Sequence, residues 1–380
     1  MLKVQEYLQT HTLDELHTEY GIEYSEYQNL ICLSYSQIDS PKFNPIVSEC
    51  RGIVLELNTW KCISYPFHRF YNFGENPSQE HFNFQRAIGM QKLDGSLIQY
   101  FNYNGKWLYA TRSVIENDSK INLSNKTFKE LFYKTLEQYG DVTNKLNPYY
   151  SYYFELTALE NRVVTIYPRP ELHLIMVRNM SNLKELSLKD LYIESDNIGI
   201  ELPGIVKFDS IEELVKMANS LHTLEEGFVA VNYSRLYDGM NYERVKVKNT
   251  SYVNIAHLKD SAARSQRSLV SLVYDGEESE FLIYFPEYQK IVDDIKKKYN
   301  EYIFNLNLDI EKCKDYFSKD KKTFALFIEK GFLNTSFLFQ MYNKKVTGVK
   351  DYFEQIEKNK GRKYLEQYLV DSLKIKEELL

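Results

Sequence analysis

Lys92-Leu93-Asp94-Gly95 sets an amine, a carboxylate and a residue free to bend within four positions. A lysine amine is a poor nucleophile at its ordinary pKa of about 10.4. Partial desolvation, or a setting among other cations, makes it a good one. If Lys92 ends a strand, Asp94 shares its face, and Gly95 turns the chain without a side chain in the way. The same four residues also fit an exposed lysine before a Leu-Asp-Gly-Ser turn.

Four more stretches put charge into apolar strands, where it is costly unless used. In Glu49-Cys50-Arg51-Gly52 the Arg51 fork suits a phosphate or carboxylate; the alternative is an ion pair with Glu49 or Glu56. In Tyr153-Phe154-Glu155-Leu156 the carboxylate suits ribose hydroxyls, or an edge strand facing water. Glu225-Glu226-Gly227 precedes an apolar strand and could hold a hard cation; otherwise it is a charged turn. Arg244-Val245-Lys246-Val247-Lys248 alternates, which sets three cations on one face, as an anion site or as a solvated basic face.

Elements able to position these residues are legible around them. Asn29–Ser36, Cys50–Leu57 and Lys61–Phe67 read as strands. Leu97–Tyr103 and Lys106–Arg112 flank Asn104-Gly105, a strong hairpin signal because both residues tolerate positive φ. Residues 127–139 place apolar groups on one helical face and stop at Gly140. Further strands are expected at Tyr149–Leu156, Arg162–Tyr167, Leu172–Val177, Glu226–Val231 and Arg244–Lys248, and a helix at 209–220 capped by Asp209 or Ser210. The first 25 residues look helical and polar.

After Ser251 the texture changes. From about residue 284 the chain reads as helix, with Lys and Glu interleaved among aromatics at i, i+3 and i+4. The expected fold class is α+β. A mainly antiparallel-sheet domain takes residues 1–255, with 1–45 as its less definite part, and an all-α domain takes 256–380.

The bulk properties restrict the classes available. A chain of 380 residues can bury two or three cores. Its 43% hydrophobic and 26% charged residues are ordinary for a soluble protein. The 32 Tyr and 22 Phe can serve a core or stack on bases. A net charge of −6 argues against non-specific coating of nucleic acid, but not against a local basic cleft. Cys32, Cys50, Cys62 and Cys313 lack Cys-x-x-Cys spacing and read as reduced packing residues in a cytoplasmic protein. The start of the chain is charged, unlike a signal peptide, and no apolar run approaches the ~20 residues of a membrane span.

The order of the charged words narrows the reading. ECRGIVLE, KLDGSL, FELTALENRVV, EGFVAV and KVK, followed by Tyr252 and His257, resemble the phage RNA ligase 1 family of tRNA-repairing ligases within the covalent nucleotidyltransferases. The likeness covers about residues 48–260, extends into the C-terminal helices through KDKKTFAL (319–326), and is weak over the first 45 residues. It implies a nucleotidyltransferase domain in which Lys92 becomes adenylylated and Asp94 and Gly95 belong to the same motif. It further implies that Arg51, Arg69, Arg112, Glu155, Lys246 and Lys248 bind ATP and that Glu226 is associated with a metal. Arg69 and Arg112 stand where the family usually has lysine, and the two cations are not interchangeable at phosphates. Leu93 replaces an acidic residue found in some members.

The implied activity is ATP- and Mg2+-dependent joining of RNA 5′-phosphate and 3′-hydroxyl ends, with Mn2+ able to substitute. The implied partner is tRNA with a cleaved anticodon loop, chosen by the helical domain; neither a membrane nor an obligate protein partner is implied. Cations around Lys92 favour its neutral, attacking form and offset charge growing on the phosphoryl oxygens. Two rivals share parts of the pattern. An mRNA capping guanylyltransferase carries the lysine motif but usually an OB-fold of short strands after Lys-x-Lys. An RNA-binding module with a dead nucleotide pocket would not need all of Lys92, Glu155, Glu226, Lys246 and Lys248.

Overall fold

In the computed structural model, residues 1–75, 81–121, 124, 126–262, 266–329, 331, 332 and 334–375 are described, without the side chains of 257–262, 266 and 280. Residues Met1–Asn254 form one compact unit and Ile255–Leu380 a second. The architecture is α+β, with antiparallel sheets in the first unit and helices alone in the second.

The first unit starts with α1 (Lys3–Leu8) and α2 (Leu13–Tyr20), and then β1 (Ile22–Tyr27). Thr12 and Glu15 form a capping box at α2, which supplies donors and acceptors its first turn lacks. β1 pairs with β2 (Leu30–Tyr35). The short α3 (Pro45–Glu49) leads to β3 (Arg51–Glu56) and β4 (Cys62–Ser64), completing a sheet of order β1-β2-β3-β4. Val4, Leu8 and Leu16 from the helices pack on Ile31, Leu33, Ile53 and Leu55. Glu49 is not an ion-pair partner of Arg51. Its two oxygens accept from the backbone N–H groups of Lys3 and Val4 at 3.0 and 2.8 Å, closing the first turn of α1.

β5 (Ile88–Gln91) ends one residue before Lys92. The hairpin β6 (Ser96–Tyr103) and β7 (Lys106–Ala110) follows, turning through Asn104 and Gly105 at φ 52° and 80°. After α4 (Phe128–Glu137) come β8 (Tyr150–Thr157), β9 (Glu171–Asn179), β10 (Lys184–Glu185) and α5 (Leu188–Ile198). The second sheet runs β10-β9-β8-β6-β7. Its core joins Leu131 and Phe132 of α4 to Ile98, Tyr152, Phe154 and Leu174. Phe132 is fully buried, and truncating such a ring to alanine costs about 3–5 kcal/mol. Arg162–Tyr167, expected as a strand, is irregular.

β11 (Ile205–Val206), α6 (Ile211–Ser220), β12 (Gly227–Asn232) and β13 (Glu243–Lys248) complete the unit. The third sheet runs β11-β5-β12-β13, so Lys92, the start of β12 and the end of β13 meet at one end of the sheet. Ser210 is the cap of α6, accepting from Glu213 N–H at 3.2 Å. Leu214 and Ala218 pack on Phe228, Ala230, Val245 and Val247. Chain continuity is carried by α7 (Thr250–Ala262).

The second unit contains α8 (Gln266–Asp275), α9 (Glu278–Tyr284), α10 (Gln289–Cys313), α11 (Lys321–Ile328), α12 (Thr335–Tyr342), α13 (Val349–Lys360) and α14 (Arg362–Ser372). Val292, Ile295, Tyr302, Leu306 and Cys313 make the buried stripe of α10. Their spacing by three, four and seven is the one-face pattern of an amphipathic helix. No described helix is long and apolar enough to cross a membrane.

Candidate nucleotide site

Three backbone ties place Lys92. Its N–H donates to Gly227 O at 2.8 Å, Gln91 N–H donates to Gly204 O, and Phe228 lies opposite Gln91 in the β5–β12 register. Glu226 sits one residue before β12, and its carbonyl accepts from Asn249 N–H. Gly227 faces Lys248 across β12 and β13 with φ 130°, and a Cβ there would lie 2.2 Å from Val247 O. Only glycine fits this crossing. The close approach brings three side chains together: Lys92 Nζ is 2.5 Å from Glu226 Oε2, and Lys248 Nζ is 2.9 Å from Oε1. Burial pushes the Glu226 carboxyl up, but the two ammonium groups outweigh it and hold it below the usual carboxylate range.

Asp94 and Gly95 act on the backbone around this centre. Both Asp94 oxygens are taken by the chain itself. Oδ2 accepts from Val164 and Thr165 N–H, each at 2.7 Å, and Oδ1 accepts from the Tyr252 hydroxyl at 2.8 Å. This long-range capture explains why Arg162–Tyr167 leaves strand geometry. A Cβ at Gly95 would stand 2.3 Å from Leu156 O, so the loop lies flat against β8 only with glycine there. Gly95 N–H donates to Glu155 Oε1 at 3.0 Å. Burial pushes the Glu155 carboxyl up to about 7, against the pull of Lys92.

A cavity of about 80 Å3 opens between these groups, lined among others by Arg51, Phe67, Phe70, Lys92, Glu155 and Ile175. A cleft of about 500 Å3 shares Phe67, Phe70 and Arg244 with it. Lys246 Nζ and the Arg51 guanidinium lie 4.7 and 4.9 Å from the Phe70 ring centre. Burial lowers the Arg51 guanidinium to about 10. It also lowers Lys246 to about 7, with Arg51, Lys92 and Lys248 adding to the effect.

Arg69 and Arg112 gather at Tyr35, their guanidinium carbons 4.2 and 4.3 Å from its ring centre. Arg112 Nη2 donates to Tyr35 O at 2.5 Å. Arg51 Nη1, Arg69 Nη1 and Arg112 Nε are buried without a hydrogen-bond partner. Buried donors normally find acceptors, and these three nitrogens have none within the described protein. Tyr35 as the common platform was not singled out in the sequence; only its place in an aromatic strand end could have pointed to it.

One expected member leaves the group. Arg244 shares a face with Lys246 and Lys248, but it grips Glu185 bidentately, Nη1 to Oε1 at 2.9 Å and Nη2 to Oε2 at 2.6 Å. It is a scaffold ion pair, not a free anion donor. The side chain of His257 lies outside the described residues. Among these residues no group of three His, Cys, Asp or Glu side chains could cage a metal.

The chain is similar to known RNA ligases. A family model described as RNA ligase matches residues 49–252. A protein of Autographa californica nuclear polyhedrosis virus, named for bifunctional polynucleotide kinase and RNA ligase activity, is 31% identical over 77% of this chain and 43% of its own length. The RNA ligase of Rhodothermus phage RM378 is 24% identical over 66% of this chain and 69% of its own. The chain thus spans less than half of the first relative. An archaeal ATP-dependent RNA ligase structure matches over 75% of this chain and 69% of its own, at 14% identity and TM-score 0.45.

Proposed function

The chain belongs to the phage RNA ligase 1 family, and from that premise we propose that it joins RNA ends with ATP through a covalent adenylate on Lys92. The observation that carries the reading is the Lys92–Glu226–Lys248 centre, with Lys92 lining a cavity to which Arg51 and Glu155 also contribute.

Lys92 attacks as the free amine, so the ammonium that donates to Glu226 first gives up a proton to solvent. Nζ forms a bond to the α-phosphorus of ATP, the α–β phosphoanhydride bond breaks, and pyrophosphate departs with the electron pair. Lys246, Lys248 and the arginines at Tyr35 offset charge on the phosphate chain. Glu155 is placed to accept from ribose hydroxyls. Asp94 and Gly95 keep the Lys92 loop and β8 in register. Glu226 would hold a divalent cation, which when bound supplies further charge at the phosphates. An oxygen of an RNA 5′-phosphate then attacks the same phosphorus and frees the amine. Last, an RNA 3′-hydroxyl attacks the activated 5′-phosphate, AMP leaves, and a phosphodiester forms. Two covalent stages replace one difficult displacement.

The helical unit fits the choice of RNA, with tRNA cut in its anticodon loop as the preferred substrate. No residue assigned to ATP lies beyond Lys248, and α10 carries Lys296, Lys297 and Lys298 in one run suited to a phosphate backbone.

The test is incubation with α-labelled ATP or GTP, followed by denaturing electrophoresis. Label from ATP that survives denaturation and maps to Lys92 is expected. Label from GTP alone would indicate capping chemistry, and no label a binding module.

A further inference from the structure

The helical unit holds a cavity of about 320 Å3 between α12, α13 and α14. Among the described residues its lining contains no carboxylate, in a chain with 53 Asp and Glu residues. Instead it offers carboxamides, tyrosines and one lysine. Two of the carboxamides, Gln340 and Asn359, make no side-chain hydrogen bond among the described residues. Each presents a donor beside an acceptor. Tyr364 is 46% exposed at the same cavity. Lys360 Nζ sits 4.3 Å from its ring centre and 3.1 Å from its hydroxyl.

The floor is rigid. Asn334 accepts from Phe337 N–H at 2.9 Å, and its amide donates to the Tyr368 hydroxyl at 2.5 Å. The Tyr368 and Tyr302 hydroxyls bond at 2.9 Å. Hydroxyls that anchor one another in this way hold the wall and leave the amides of Gln340 and Asn359 uncommitted beside the exposed Tyr364 ring.

We infer that this cavity receives one unpaired base of the RNA substrate. A base offers a flat face to Tyr364 and an edge of adjacent donors and acceptors to Gln340 and Asn359, and its phosphate reaches Lys360. Single-stranded RNA is read in this way, by stacking and by hydrogen bonds to splayed-out base edges. The volume falls at the lower end of the roughly 300–1,000 Å3 of small-ligand sites, which suits one nucleoside. A peptide partner is the weaker fit, since the cavity gives a peptide no carboxylate for its cations and little apolar wall. The inference rests on the reading of the chain as an enzyme that acts on RNA.

The experiment measures fluorescence anisotropy of the full chain with two labelled RNAs, a hairpin cut within its single-stranded loop and the same duplex without loop nucleotides. Tyr364→Ala and the double variant Gln340→Leu with Asn359→Leu should each weaken binding of the cut hairpin about tenfold, the scale of one lost base stack. Binding of the blunt duplex should stay unchanged, and Tyr364→Phe should restore the hairpin. The exposed position of Tyr364 keeps its variants folded, and an unaltered circular-dichroism spectrum and thermal melt of the full chain verify this. Equal binding of both RNAs by Tyr364→Ala and the unsubstituted chain overturns the pocket, as does uniform weakening of both by Lys360→Ala with no effect of Tyr364→Ala. Absence of ATP labelling in every chain would sink the ligase reading instead, and a loop preference that depends on Tyr364 would outlive it.

Discussion

Two buried carboxylates in the first unit each stand between two cations, and they are built for opposite ends. Glu226 lies between Lys92 and Lys248, whose side chains are 23% and 31% exposed. Glu185 lies between Arg178 and Arg244, which are 0% and 6% exposed. Arg178 also donates to the carbonyls of Tyr65 and Leu183, each at 2.5 Å, and to Asn241 Oδ1 at 2.7 Å. Its planar fork is filled from several directions and fixes the chain that carries Phe67 and Phe70. A lysine ammonium is a compact point charge on a flexible stem, able to leave its partner and lose its proton, which a guanidinium does not do. The same charge pattern is therefore a scaffold with arginine and a reactive centre with lysine.

The largest effect separating the two should come from Lys92→Ala. Removing a covalent nucleophile leaves only positioning and charge, so adenylate formation should fall by at least about 10^3-fold, read as label retained after denaturation. Lys92→Arg should fail equally, because guanidinium stays protonated. Normal label on either variant would place the nucleophile elsewhere.

The next effect tests the scaffold. Arg178→Met strands Glu185 with one partner and frees the carbonyls of Tyr65 and Leu183. Breaking a buried pair from one side costs about 3–5 kcal/mol, so the denaturant midpoint of the first unit should drop sharply. Glu226→Gln should leave that midpoint near its original value, because its two lysines can turn to water, and yet abolish labelling. Unfolding of Glu226→Gln together with Arg178→Met would make both clusters structural.

Much of this contrast could not be seen in the chain. Turn chemistry exposed the Asn104-Gly105 hairpin, and alternation exposed β12 and β13, because both signals are local. Alternation also put Arg244, Lys246 and Lys248 on one face. It could not show that Glu185, 59 residues away, claims Arg244. Arg162–Tyr167 has strand composition, yet two of its amides are spent on Asp94, 70 and 71 residues back. Lys92, Glu226 and Lys248 were legible as words of a known order. Their meeting on one carboxylate, and Tyr35 as the platform for two arginines, depend on sheet pairing that no window of sequence contains.

The smallest effect compares neighbours on one strand. Arg244 stays charged at any accessible pH, since Glu185 overcomes the burial that opposes its charge. Lys246, two residues on, is lowered from 10.5 to about 7 by burial and then by Arg51, Lys92 and Lys248. Between those two values the unfolded chain holds a proton that the folded chain has shed. Stability from this group is therefore present above about 10.5 and is lost as pH falls toward 7. A phosphate set against Lys246 reverses the preference and restores the proton. ATP binding should then take up a fraction of a proton at pH 8, with little uptake below about pH 6, where the amine is already charged. Affinity should weaken as pH rises from 7, by no more than tenfold per unit for one proton. Calorimetry of ATP binding in two buffers of different ionisation enthalpy measures the uptake directly. Lys246→Met should remove it, whereas Arg178→Met, if enough folded protein remains to titrate, should not. Uptake that persists in Lys246→Met would assign the proton to another group, with the Glu155 carboxyl, pushed up to about 7, next in line.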